Sequence, residues 1–242
     1  ADPAAVQAEA TMTQKLTLYG CWRSTCTHRA TLALSLRGVG FAYRPIDLSA
    51  REQEGEAFLS VSRDAQVPVL VVGGDRLTQS MAIVSYVDAV GDPATPPLFP
   101  AEPLARARSM AIAERVATYI QPLTLPGGIR RGIARAFEGC VSGDEREQCL
   151  DGFIRSTLHE NLRNLDARLQ DGAGTCALGD SVTVADVFIY PQLLGALRLG
   201  LELADYPCLK RIHAGLTGHA AVAAVDPARM PDAPPGTRPQ TP

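Results

Sequence analysis

The segment Trp22–Leu34, WRSTCTHRATLAL, sets the hydroxyls of Ser24 and Thr25 beside the thiol of Cys26, with Arg23 and Arg29 as nearby cations. Hydroxyl donors at a helix start stabilise a bound anion as an oxyanion hole stabilises oxygen. Cys26 then reads in three ways: a small side chain lining a pocket, a redox or modulating thiol, or a nucleophile. A second group, Gln79 and Ser80, precedes the apolar run MAIVSYVDAV. Ser80 fits an N-cap there, and it also fits a carboxylate held at the positive end of a helix dipole. A third, Gln66-Val67-Pro68, opens a strand-like run. The six cysteines are scattered without a Cys-x-x-Cys pair, and the four histidines are isolated, so no metal site is expected.

These residues need elements to hold them. LTLY alternates as a strand, and helical periodicity starts at Ser24 or Thr25 and stops at Gly38. FAYRPIDL reads as a second strand, with Pro45 marking an edge or the end of pairing. SAREQEGEAFLSVSR is polar and reads as a short helix or irregular segment. Val69–Val72, the turn signal Gly73-Gly74-Asp75 and the short RLT form a hairpin, and a helix follows to Gly91. The order is β-α-β-α-β-β-α. GDPATPPLFPAEP is a proline-rich linker. Beyond it, LARARSMAIAERVATYI, CLDGFIRSTLHENLRNLDARLQ, VADVFIYPQLLGALRLG and CLKRIHAGLTGHAAVAAV all carry helical periodicity, and Thr183–Asp186 has the form of a capping box. The expected organisation is an extension over 1–13, an α/β domain over 14–91, a linker over 92–103, an all-helical domain over 104–226 and an extended tail over 227–242.

The 242 residues suffice for two small domains, and 46% hydrophobic residues allow each a core. The net charge of −3 gives no basic field for nucleic acid or an anionic membrane. No apolar run reaches the roughly 18–20 residues that span a bilayer. Scattered cysteines in so long a chain suit a reduced, cytoplasmic protein, although Cys140 and Cys149 could pair in an oxidising compartment.

The motifs and their order resemble the cytosolic glutathione transferases, and specifically the zeta class with its maleylacetoacetate and maleylpyruvate isomerases. RSTCTHRATLAL, QVPVL, TQSMAI, IQPL, GDSVTVADVFIYPQ and PARMPDAP carry the resemblance over about residues 14–235. It implies a thioredoxin-like α/β N-terminal domain, an all-α C-terminal domain, a cis Pro68 and a homodimer. Glutathione is the implied cofactor, held by Gln66, Val67, Pro68, Gln79, Ser80 and Gln121. Ser24 is the implied main activating hydroxyl, with Thr25, Cys26 and Arg23 around it. Arg23 and Arg198 are implied to bind substrate carboxylates. The implied activity is cis-trans isomerisation of a conjugated keto diacid by reversible thiolate addition. The alternatives are conjugation or dehalogenation of small electrophiles such as haloacids, and a non-catalytic interaction module. Departures from the family pattern are His28 in place of an aromatic, Thr31 in place of an arginine, Thr124-Leu125 after IQPL, and a longer stretch from Gly127 to Cys149. A lone histidine such as His28 is more often structural or on the surface than a base.

Overall fold

Alternation in Leu16–Gly20 produces β1, with Leu16, Leu18 and Gly20 buried and Thr17 and Tyr19 half-buried on the other face. The computed structural model describes residues 15–124, 128–136, 143–170, 172 and 174–239. The expectations for residues 1–13, for Leu125 and for a Cys140–Cys149 pair lie outside them. The chain forms two compact units. One holds the chain up to Phe99 and from Thr217 onward, and the other spans Pro100–Leu216.

In the first unit β1 is followed by α1 (Thr25–Leu36), β2 (Ala42–Pro45), a 3-10 turn (Glu52–Glu54), α2 (Glu56–Leu59), β3 (Val69–Val72), β4 (Asp75–Leu77) and α3 (Ser80–Val90). The sheet order is β2-β1-β3-β4. β1 runs parallel to β2, with Leu18 opposite Tyr43, and antiparallel to β3, with Leu18 opposite Leu70. This is the thioredoxin-like α/β arrangement that the sequence implies. Pro45 ends β2 on the sheet edge, where its missing N–H costs no ladder bond. Leu18, Val69, Leu70, Ile83, Val84 and Val87 are fully buried, each worth roughly 1.5–3 kcal/mol of apolar burial. Tyr19 packs instead on a smaller cluster of Ile46, Phe58 and Val69.

Two contacts fix α1. A Cβ at Gly20 would lie 2.4 Å from Thr27 Cγ2, so the strand end touches the helix directly and tolerates no side chain. At the other end, buried Arg37 pairs with Asp88 of α3 at 3.0 Å and donates to Pro96 O at 3.0 Å. Asp88 in turn accepts from Leu98 N–H at 2.7 Å. The proline-rich linker is thereby tied to the first unit as far as Phe99.

The second unit is helical. It contains α4 (Pro103–Arg115), a π-helical turn (Val116–Ile120), α5 (Gln121–Thr124), α6 (Gly128–Ala136), α7 (Gly143–Arg168), α8 (Val184–Arg198) and α9 (Pro207–Thr217), whose last residue falls in the first unit. Leu150, Ile154, Leu158, Leu162 and Leu165 form a buried stripe along α7 at helical spacing. In α8 every residue from Val184 to Ala196 is buried. It starts on the capping box expected of TVAD: Asp186 accepts from Thr183 N–H at 2.9 Å and from Ala177 N–H at 2.7 Å.

Three features differ from the sequence expectation. The last periodic segment breaks at Gly218-His219 into α9 and α10 (Ala220–Ala224), because His219 caps a new start by accepting from Ala221 N–H at 3.2 Å. α10 and the tail belong to the first unit, so the helical unit ends at Leu216 rather than at 226. The tail itself is not simply extended: Pro227–Arg229 is a 3-10 turn, with Asp226 accepting from Ala228 N–H at 2.8 Å.

Candidate active site

Ser24 is the N-cap of α1. Its Oγ accepts from Thr27 N–H at 3.2 Å, which leaves the hydroxyl's own proton to be donated elsewhere. Cys26 is half-buried, Thr25 is buried and Arg23 is exposed. No acidic residue occupies the first turn of α1. The free N–H groups and dipole of this helix start therefore face no internal counter-charge from its own turn.

α3 starts in a related way. No side chain caps it, and its first turn also lacks an acid. Gln79 precedes it at φ 67° and ψ 119°, a left-handed conformation that a non-glycine residue adopts only under strain of about 1–3 kcal/mol. Strained backbone of this kind concentrates at functional sites. Ser80 is 9% exposed and Gln79 is exposed. Val67-Pro68, just before β3, is cis, as the resemblance implies. Val67 is half-buried and Gln66 exposed.

Arg29 joins the two helix starts. Its side chain is 1% exposed, and Nη1 lies 3.3 Å from Ser80 Oγ and 3.9 Å from Cys26 Sγ. A guanidinium carries a fixed positive charge, so it raises the potential at both positions. Because Ser80 Oγ accepts from Arg29, the Ser80 proton is also available to a ligand. Arg29 is absent from the sequence-derived site residues. The available signal was its i, i+3 spacing from Cys26 inside an otherwise apolar helical run.

The turn between β1 and α1 is shared with the tail. Trp22 N–H donates to Asp232 Oδ2 at 2.9 Å, and Tyr43 OH lies 3.4 Å from the same oxygen. Burial, and then the charge of Asp232, push the Tyr43 phenol well above its ordinary range. Burial is also the main cause of the upward shift of the Cys21 thiol, to which Asp232 adds. Cys21 is thereby held less readily ionised than an ordinary thiol. His28 is buried in α1.

The remaining sequence-derived residues lie in the second unit. Arg198 is exposed at the last position of α8, and Gln121 is half-buried at the first position of α5. Among the described residues no cluster of three or more His, Cys, Asp or Glu is arranged to hold a metal ion.

The chain is similar to several known proteins. Residues 14–89 match the glutathione S-transferase N-terminal domain family. The chain is 33% identical over 220 residues to a probable maleylacetoacetate isomerase of Caenorhabditis elegans, covering 90% of this chain and 96% of that one. A crystal structure of maleylacetoacetate isomerase from Methylobacterium extorquens AM1, with bound malonate and glutathione, is 33% identical with a TM-score of 0.80, covering 90% of this chain and 99% of that one. The holo structure of a bacterial maleylpyruvate isomerase, a zeta-class glutathione transferase, is 28% identical with a TM-score of 0.81, covering 90% and 100%.

Proposed function

The chain belongs to the zeta-class glutathione transferase and maleylacetoacetate isomerase family, and from that membership and its site we propose a glutathione-dependent cis-trans isomerase of a conjugated keto diacid, of the maleylacetoacetate or maleylpyruvate type. Two uncharged helix starts joined by a buried guanidinium carry this proposal: Arg29 Nη1 reaches both Ser80 and Cys26. A tripeptide with carboxylates and an ionisable thiol fits such a pair, one start for each kind of anion. When bound, glutathione supplies a sulfur nucleophile that adds reversibly to the conjugated double bond and leaves it free to rotate, so none is consumed.

The residues of the chain hold and polarise. Ser24 donates its free hydroxyl proton toward the sulfur anion, and Thr25 lends the same turn a second hydroxyl. Cys26 lines the pocket beside them. Ser80 and the N–H groups of α3 take a carboxylate, with Gln79 as a polar neighbour. Gln66, Val67 and Pro68 offer an extended backbone edge to the peptide, and Gln121 a further polar contact. Arg23 and Arg198 are assigned to the substrate carboxylates, which guanidinium forks pair well and whose adjacent carbonyl gains negative charge during addition.

The enzyme acts as a homodimer in the cytoplasm. In support, Leu104, Met110 and Tyr119 leave apolar surface exposed in the second unit. Cys21, Cys26, Cys149, Cys176 and Cys208 are free thiols. Among the described residues no helix is long and apolar enough to cross a membrane. Light scattering with the purified chain checks the oligomeric state. The activity is tested by following maleylacetone and maleylpyruvate in the ultraviolet at trace glutathione while titrating free thiol. Isomerisation with thiol unchanged is the expected result. Thiol loss without isomerisation would replace this function with conjugation.

A further inference from the structure

The turn that presents Arg23 and Ser24 satisfies only part of its own backbone. Ser24 N–H donates to Cys21 O at 3.0 Å, and Cys21 N–H donates to Thr27 Oγ1 at 3.3 Å. Trp22 N–H turns instead to a carboxylate 210 positions away, Asp232 Oδ2 at 2.9 Å. Tyr43 OH of β2 approaches the same oxygen at 3.4 Å. The other oxygen, Oδ1, is buried and has no partner among the described residues. Leaving a buried carboxylate oxygen unpaired is unfavourable. The arrangement gains a charge-assisted bond on one peptide of the turn.

The tail is anchored to deliver that carboxylate. Ser35 Oγ of α1 donates to Ala221 O of α10 at 2.7 Å. Asp226 and Pro227 are buried, and Ala233 N–H donates to Met230 O at 3.0 Å, which shapes the chain around Asp232. Val225, Pro227 and Met230 close on Cys21, Trp22 and His28 around a void of only about 10 Å³. The tail is thus packed on the turn and not merely near it.

We infer that Asp232 is a positioning residue for the reaction: by holding Trp22 N–H from the far end of the chain, it sets the turn that aims the Ser24 hydroxyl. This rests on the isomerase function proposed above. Asp232 touches no reacting atom. Its effect runs through the backbone, so its loss acts on kcat more than on ground-state binding.

The test uses the full chain with Asp232→Ala and Asp232→Asn. Trp22 is the sole tryptophan, so its fluorescence reports on the turn itself without any substrate. In Asp232→Ala, acrylamide quenching of Trp22 rises and kcat falls about 10-fold to 100-fold. KM for the keto diacid shifts by less than about 3-fold. Asp232→Asn keeps a neutral acceptor for Trp22 N–H and recovers kcat to within about 5-fold of wild type. Should the alanine variant not fold, Tyr43→Phe, which removes the other donor to Asp232, shows the same changes in smaller measure. Unchanged quenching, or wild-type kcat in the variants with only thermal stability lost, would overturn the assignment. If the wild-type chain does not isomerise the keto diacid, the proposed function fails, while the quenching comparison still decides whether Asp232 holds the turn.

Discussion

α1 and α3 begin without an acidic residue in their first turns, whereas α4 and α8 begin on carboxylates of their own. Glu102 accepts from Leu104 N–H at 2.8 Å and Ala105 N–H at 2.6 Å, and Asp186 accepts from Thr183 and Ala177 N–H groups. Chemically the four ends start alike, each with orphan N–H groups and a positive dipole end. At α4 and α8 the chain fills that demand with its own anion, which stabilises the fold and leaves nothing for a ligand. At α1 and α3 the caps are a neutral serine or none, and a buried cation, Arg29, adds to the unfilled demand. On the proposed function, the difference separates helix ends that hold the protein together from ends that take the anions of glutathione.

This contrast can be broken at each end. Ser24→Ala is expected to lower kcat for the keto diacid about 100-fold to 1000-fold, as loss of an anion-stabilising donor does. The lost N-cap costs only about 1 kcal/mol of stability. Parallel kinetics and denaturant titration separate the two effects. Asp186→Ala should do the reverse. It strands the Thr183 and Ala177 N–H groups and lowers unfolding free energy by about 2–4 kcal/mol, with glutathione affinity unchanged, as urea melts and calorimetry will read. Met81→Glu gives α3 the kind of carboxylate that α8 has. Glutathione affinity should fall roughly tenfold while the melting temperature holds or rises.

The smallest effect is on pH dependence. Burial raises the Asp186 carboxyl above the ordinary aspartate range, against the pull of its hydrogen bonds. The native chain therefore binds this proton more readily than the unfolded chain. Its contribution to stability is fully present below the unfolded value of about 3.9 and is lost as pH rises through the higher folded value. In the Asp186→Asn chain the melting temperature should fall less steeply than in wild type as pH rises from the unfolded toward the folded value. A steeper fall in the variant would reverse the sign.

Much of this was legible because local signals and tertiary demands agree. LTLYG alternates and forms β1, Ser24 caps α1 where the helical period begins, and TVAD makes its box. Gly91 stops α3 where expected. The break at Gly218-His219 was hidden because alanine and leucine on both sides continue the helical pattern, and only the His219 cap starts a new helix. Asp232 was invisible for a different reason. A short carboxylate in a proline-rich tail carries no periodicity, and its partners Trp22 and Tyr43 meet it only in three dimensions. Arg29 stood in plain view within α1, but its reach to Ser80, 51 positions on, follows from the packing of α1 against α3.

On the proposed function, the start of α1 holds a sulfur anion. The most direct measurement is the ultraviolet thiolate band of glutathione mixed with the protein and titrated in pH, for wild type and Ser24→Ala. The expected result is a thiolate band in wild type well below the usual thiol value of about 8.5, and a titration in Ser24→Ala that returns to that of free glutathione. A bound glutathione whose thiol titrates in wild type as it does in water would contradict it.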